Sequence, residues 1–180
     1  MPELTIRIKK NSDGSAALTC TRADGTVTWQ RQPGQRGRFF PFHDLTHYTV
    51  EHELGFASGF FGLIAAGWDI PDTGGKGARG PLPPEAIIVE HIVGALDAER
   101  NVGATWTTAE FNEHLALAAA TRQSVLPPAL DDEQLARLRA TRHELFARWR
   151  ALQPGDALEL PFDRRSVQLV SRPEHAPGGA

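Results

Sequence analysis

Apolar and polar residues alternate with a period of two along the first 32 residues. In the segment LTIRIKK, every second residue from Leu4 to Ile8 is apolar and the residues between them are polar. The segments SAALTCTR and TVTWQRQ follow after the turn clusters NSDG and ADG. This pattern predicts three antiparallel strands joined in a β-meander, which requires a covering layer because isolated hairpins are unstable.

Most of the following chain has the pattern of helices. A basic loop, QRGR, precedes a helix that we predict to start near Pro41 and to end at Gly55. A short helix that is apolar on all sides follows, with Ser58 as its N-cap and its end near Gly67. After a loop rich in glycine and proline, residues 85–100 are predicted to form a third helix.

Two capping boxes mark the starts of two further helices. Thr107 and Glu110 form the first box, and Asp131 and Gln134 form the second. Each box is flanked by apolar residues in the staple positions. We expect the last helix to run from the second box to about Leu152.

The C-terminal segment is predicted to return to the sheet. DALELPF and SVQLV have strand patterns on either side of Asp163 and Arg164, which predicts a short C-terminal β-hairpin. Residues 172–180 have the composition of a disordered tail. The prediction is one α+β domain over residues 1–171, in which the N-terminal antiparallel β-meander packs on about five helices.

Composition and charge narrow the range of functions. The chain has 180 residues, 41% of them hydrophobic, and a formal net charge of −3, so we do not expect a nucleic-acid partner. Its single cysteine, Cys20, excludes an internal disulfide and a multi-cysteine zinc site. The start lacks an apolar signal segment and no apolar stretch reaches the ~20 residues of a spanning helix, so we expect a cytoplasmic protein without membrane contact.

Arginines crowd the last predicted helix. They are Arg137, Arg139, Arg142, Arg148 and Arg150. Acidic residues stand at the start of that helix and the arginines follow toward its end, which is the distribution that the helix dipole favours. We therefore interpret them as complements of the dipole rather than as a nucleic-acid surface.

The segment HDLTHYTVE contains the clearest chemical signal in the chain. On an α-helix His43, His47 and Glu51 lie at about 0°, 40° and 80°, so two imidazoles and a carboxylate share one stripe. Zinc and iron(II) both accept two histidines and a carboxylate, which leaves positions open for water or substrate. The spacing predicts that these three residues bind a divalent metal ion.

Asp44 can be interpreted in two ways. It follows the first histidine, at the position where zinc peptidases place a glutamate that acts as general base on metal-bound water. It is also a good N-cap residue, and a helix that begins at Asp44 would leave His43 outside and break the ligand geometry. Pro41 favours an earlier start, since proline suits the first helical turn.

Parts of this region resemble motifs of two protein families. RFFPFHDLTHYTVEHELGF and GFFGLIAAGWDI resemble a motif of small uncharacterised bacterial proteins that begin with a similar β-meander, a resemblance that covers most of the chain and implies no activity. The His-Asp-x-x-His core is also similar to the metal motif of a ubiquinone-biosynthesis family, in which a glutamate follows the second histidine by twelve positions. Gly59 stands there in this chain, so the resemblance implies no quinone function.

Other polar residues of the third helix have a structural interpretation beside the functional one. His91 lies in its apolar sector, where it is either a further metal ligand or a buried histidine bonded to backbone. Glu90 and Asp97 point away from the apolar face, and Glu90 is expected to be solvated. In the loop before this helix, Lys76 and Arg79 indicate either an anion-binding lid or a flexible connection.

The sequence therefore predicts a metal-binding protein, with zinc held by His43, His47 and Glu51 and with His91 as a further ligand. As an enzyme it would use metal-activated water on an ester, amide or phosphate bond of a small-molecule substrate, with Asp44 as base. The competing hypothesis is a non-catalytic interaction module without metal. Phenylalanines around the motif are typical of either a pocket wall or a homodimer contact; they are Phe39, Phe40, Phe56, Phe60 and Phe61.

Overall fold

In the part of the chain that the structure describes, four antiparallel strands form one sheet. The computed structural model describes residues 2–32, 34–75 and 79–164. The strands are β1 (Leu4–Lys10), β2 (Ala16–Arg22), β3 (Val27–Gln32) and β4 (Ala157–Phe162), in the order β3-β2-β1-β4. The predicted meander, the return of the C-terminal segment to the sheet and the α+β class are confirmed. The second strand of the predicted hairpin and the predicted tail lie outside the described residues.

The inner face of the sheet follows from the alternation in the sequence. Ile6 of β1 pairs with Cys20 of β2 on one side and with Leu160 of β4 on the other, and all three side chains are buried. Because the strand period is two, their neighbours along each strand turn to the opposite face. The buried face packs on Phe61 and Trp149, which belong to the covering helices.

Among the described residues there are five helices, and three of them contribute to the cluster under the sheet. The five helices are α1 (Gly34–Leu54), α2 (Phe60–Ala65), α3 (Pro84–Val102), α4 (Thr108–Thr121) and α5 (Asp132–Ala151). A short 3₁₀ turn, Ile70–Gly74, follows α2. Both predicted capping boxes are present, with side chain and backbone bonded reciprocally. Among the described residues, no helix is both long and apolar enough to span a bilayer.

Helix α1 begins earlier than the sequence predicts. It starts at Gly34, so the segment that we predicted as a basic loop belongs to its first turns and Pro41 lies inside it. A proline inside a helix cannot donate to the carbonyl four residues back, which here belongs to Gly37. Arg38 donates to the Asp13 carbonyl in the β1–β2 turn at 3.1 Å, which attaches these first turns to the sheet. The alternative in which the helix starts at Asp44 is therefore wrong.

Helix α1 lies between two hydrophobic clusters. Leu45 and Tyr48 pack into the cluster under the sheet, whereas Val50 packs into a second cluster formed with α3, α4 and α5. Most of the polar residues at the centre of α1 are consequently buried. Thr46 and Thr49 satisfy their hydroxyls by donating to backbone carbonyls one turn back, both at 2.8 Å. The remaining buried polar residues of this helix form the site described below.

Candidate metal centre

Two histidines of α1 and one glutamate of α3 converge at the surface of the helical layer. The His43 and His47 rings are one turn apart, with centroids separated by 4.8 Å. Glu90 approaches from α3 and places its Oε1 3.4 Å from His47 Nε2. One ligand atom from each of the three residues lies within 4.8 Å of the others. Two imidazoles and a carboxylate at these separations form a set that can hold one cation.

The Nδ1 nitrogen of His43 is in contact with a carboxylate. His43 Nδ1 lies 3.0 Å from Asp97 Oδ2, and this carboxylate is 7% exposed on α3. The contact orients the ring and leaves Nε2 as the nitrogen available to a ligand. Asp97 is nevertheless buried, because the polar face of α3 packs against α1 at this point.

Glu90 stays exposed, as the sequence predicts, but it belongs to the converging set. Its side chain is 48% exposed and it still reaches the buried His47. Glu90 and Asp97 lie two helical turns apart and so share one face of α3. That face of α3 is turned toward His43 and His47 of α1. The local sequence pattern of α3 does not indicate this packing.

Glu51 faces the interior and is engaged elsewhere. It is 1% exposed and accepts hydrogen bonds from the backbone N–H groups of Phe61 at 3.1 Å and Gly62 at 2.8 Å, at the start of α2. Its Oε1 lies 3.7 Å from His47 Nδ1. It does not belong to the converging set of His43, His47 and Glu90. Its role as a metal ligand stays a prediction.

The start of α2 is built around that carboxylate. The N-cap is Gly59 rather than the predicted Ser58, and no N-cap side chain bonds the helix. A Cβ at position 59 would overlap the Cδ of Glu51, so a glycine is required where Glu51 lies. Glu51 thus supplies the acceptor that an N-cap side chain supplies in other helices.

Burial sets the protonation of the site. It lowers the pKa of His47 to about 4, so this imidazole is neutral at pH 7 and keeps a lone pair. Burial also lowers the pKa of His43, but the hydrogen bond and charge of Asp97 outweigh it and the net pKa is raised. Burial raises the pKa of Glu51 to about 8, against the opposing effect of the backbone donors of α2.

A cleft of about 290 Å³ opens in front of the histidines. Phe40, Phe60 and the 3₁₀ turn form much of its wall, and His43, His47 and Glu90 lie in it together. Asp44 also lines this cleft although it is only 5% exposed. Burial raises the pKa of Asp44 to about 7, opposed by the charge of His43. A carboxyl group with such a pKa can both accept and release a proton near neutral pH.

The other predicted groups lie away from the cleft. His91 is buried, and its Nε2 lies 2.6 Å from Ser124 Oγ, outside the converging set. Its role as a ligand stays a prediction. Arg79 donates to the Gly67 carbonyl at 2.7 Å, and Lys76 lies outside the described residues.

Searches against protein-family models, curated proteins and solved structures gave no match to this chain. The functional argument therefore depends on the geometry of the cleft.

Proposed function

We propose that this chain binds one divalent metal ion, with zinc preferred, through His43, His47 and Glu90, and that it hydrolyses a small substrate in the adjoining cleft. The observation that carries the proposal is the convergence of three ligand atoms from α1 and α3 within 4.8 Å. Zinc sites that catalyse hydrolysis use three protein ligands of these types and keep a further position for water.

The carboxylate beside His43 and the lowered pKa of His47 support this role. Metal-binding histidines generally direct their second ring nitrogen to a carboxylate or a carbonyl, which fixes the ring and its tautomer. His43 has Asp97 at its Nδ1 at 3.0 Å, so this ring is supported on the side away from the cleft. His47 Nδ1 lies 3.7 Å from Glu51 and has no hydrogen-bond partner among the described residues. A metal ligand must also be deprotonated, and the lowered pKa of His47 meets that requirement.

Asp44 is the residue that we assign to proton transfer. A bound divalent ion acts as a Lewis acid and lowers the pKa of a coordinated water. Asp44 lies in the wall of the same cleft, and burial holds its pKa near 7. In this role the Asp44 carboxylate takes the proton of the attacking water and returns it to the leaving group.

The metal content of the protein tests the first part of the proposal. Untagged protein is purified and analysed by inductively coupled plasma mass spectrometry. We expect one zinc per chain in the wild type and its loss in Glu90→Gln, a nearly isosteric change at a half-exposed side chain. His52→Ala is the matched control, because His52 is exposed on α1 and lies outside the cleft. Metal-free wild type that also fails to take up added zinc, or full retention in Glu90→Gln, would contradict the proposal.

Turnover tests the second part. Zinc-loaded protein is assayed with p-nitrophenyl acetate and with bis-p-nitrophenyl phosphate. We expect hydrolysis of one of them, and Asp44→Asn should retain zinc but lose about 100-fold or more of the rate. Stoichiometric zinc without turnover of either ester would contradict hydrolysis and leave a structural or sensory metal site. The alternative of a non-catalytic module without metal has one observation in its favour, since Glu51 holds α2 in place rather than facing the cleft.

A further inference from the structure

A second cleft, of about 490 Å³, lies between the end of α3, the loop that follows it and residues 139–150 of α5. Its wall contains four guanidinium groups, those of Arg100, Arg139, Arg142 and Arg150. The aromatic ring of Phe146 is part of the same wall. Such a concentration of positive charge contrasts with the net charge of −3 for the whole chain.

The acidic groups near this cleft do not balance the four cations. Glu99 is the one carboxylate among the described lining residues, and Arg139 engages both of its oxygens. Glu99 also accepts from the Trp106 backbone N–H at 2.9 Å. Asp97 lies beside the cleft, 3.6 Å from Arg100, but its other oxygen faces His43. Arg142 also lies 3.8 Å from Glu99, so four guanidinium groups share two carboxylates, and Arg150 pairs with neither.

The guanidinium groups of Arg100, Arg142 and Arg150 crowd around one ring. Their central carbons lie 5.7, 5.7 and 5.9 Å from the centroid of Phe146. Stacking on an aromatic face fixes the orientation of a guanidinium, so the groups are preorganised. Burial lowers the pKa of Arg142, and the neighbouring cations Arg100 and Arg139 act in the same direction against Glu99 and Asp97. An anion between the groups would relieve their mutual repulsion.

Donors remain for such an anion. Arg100 Nε is buried and has no hydrogen-bond partner within the described part of the chain. Arg142 uses Nη1 to bond the Leu96 carbonyl at 2.6 Å, whereas its Nη2 lies 3.8 Å from Glu99. Arg150 makes no ion pair with any described residue and lies over Phe42 and Phe146. Each of the three can therefore direct N–H groups to a bound ligand.

We propose that this cleft binds the phosphate group of a small organic phosphate. One carboxylate is satisfied by a single guanidinium fork, whereas a tetrahedral phosphate dianion accepts from several arginines at once. The volume is in the range of small-molecule sites, and Phe146 offers an apolar surface to the organic part. The site is separate from the metal centre, so it does not depend on the function proposed above.

Calorimetric titration with phenyl phosphate tests this inference. The protein is first treated with EDTA and dialysed, so that a metal ion cannot bind the probe. We expect saturable binding to the wild type. In Arg150→Gln and Arg100→Gln the affinity should fall by about tenfold or more. Arg148→Gln is the matched control, because it removes the same charge from an exposed position on α5 outside the cleft, and it should bind as the wild type does.

Competition with other anions tests which chemical group the cleft recognises. Inorganic phosphate should displace phenyl phosphate, and benzoate should not, if the phosphate group is what the arginines recognise. Arg150 is exposed, so the thermal unfolding midpoint of Arg150→Gln should match that of the wild type. Absence of saturable binding to the wild type, equal losses in all three variants, or unchanged affinity in Arg150→Gln would overturn the proposal. None of these outcomes depends on zinc, so they leave the metal proposal standing.

Discussion

His47 has a carboxylate on each side, and the two carboxylates differ in burial and in hydrogen-bond partners. On the inner side Glu51 is almost completely buried and accepts two backbone N–H groups at the start of α2. On the outer side Glu90 is half exposed, faces Nε2 and lines a cleft. Both carboxylates lie close to the same imidazole. The difference is that one already has its hydrogen-bond donors from the protein, whereas the other can serve a ligand.

Spacing along α1 and access to the cleft favour different carboxylates as the third ligand of the proposed metal site. Glu51 lies one turn after His47, which is the geometry that favours it as the third ligand. In the structure Glu51 is buried and accepts hydrogen bonds from the start of α2, and its role as a ligand stays a prediction. A carboxylate that completes a metal site needs access to the cleft, and Glu90 has it.

The largest expected effect comes from removing the inner carboxylate. Glu51→Ala leaves two buried backbone N–H groups without an acceptor and opens a cavity beside α2, so we expect the free energy of unfolding to fall by roughly 2–5 kcal/mol. Glu90→Ala is the matched change on the outer side and should alter stability by only about 0.5 kcal/mol. Urea unfolding of metal-free protein, followed by tryptophan fluorescence, measures both. Similar losses in the two variants would remove the distinction between the two sides.

The next effect concerns stabilisation by the metal. A ligand that binds only the folded state at roughly 100 times its Kd adds about 2.7 kcal/mol of stability. Zinc should therefore raise the thermal unfolding midpoint of the wild type and leave that of Glu90→Gln unchanged. The measurement is differential scanning calorimetry with and without zinc. An equal rise in both proteins would show that zinc binds elsewhere.

The smallest of the three effects concerns Asp97, which supports the His43 ring from behind. Asp97→Asn keeps the size of the side chain but removes its negative charge. Loss of such a supporting carboxylate typically weakens metal binding by about 10–100-fold. Zinc affinity is measured by competition with a chromophoric chelator. The control is Asp24→Asn, a change in the exposed β2–β3 turn, and a similar drop in both variants would exclude a specific role for Asp97.

Much of the fold could be predicted because its signals are local. The alternation in β1 and β2 and the two capping boxes each depend on residues within one element, and the structure contains all of them. The start of α1 could not be predicted in this way. Its first turns are attached by the contact of Arg38 with the β1–β2 turn, which is distant in sequence.

The same division applies to the candidate site. His43 and His47 lie one turn apart on one helix, so their pairing could be predicted from spacing. The parts of Glu90 and Asp97 in the candidate site could not be predicted from the sequence. The helical pattern of α3 distinguishes its apolar face from its polar face, but it does not indicate which element packs against the polar face. The i, i+7 spacing of these two carboxylates is the signal that the sequence does contain.

X-ray absorption spectroscopy at the zinc K-edge tests the central claim most directly. Protein loaded with one equivalent of zinc should show two imidazole nitrogens and a carboxylate oxygen at about 2.0–2.2 Å. In His47→Ala, one imidazole contribution should disappear from the spectrum. A zinc shell without imidazole scattering, or a spectrum that does not change in His47→Ala, would contradict a metal centre at His43, His47 and Glu90.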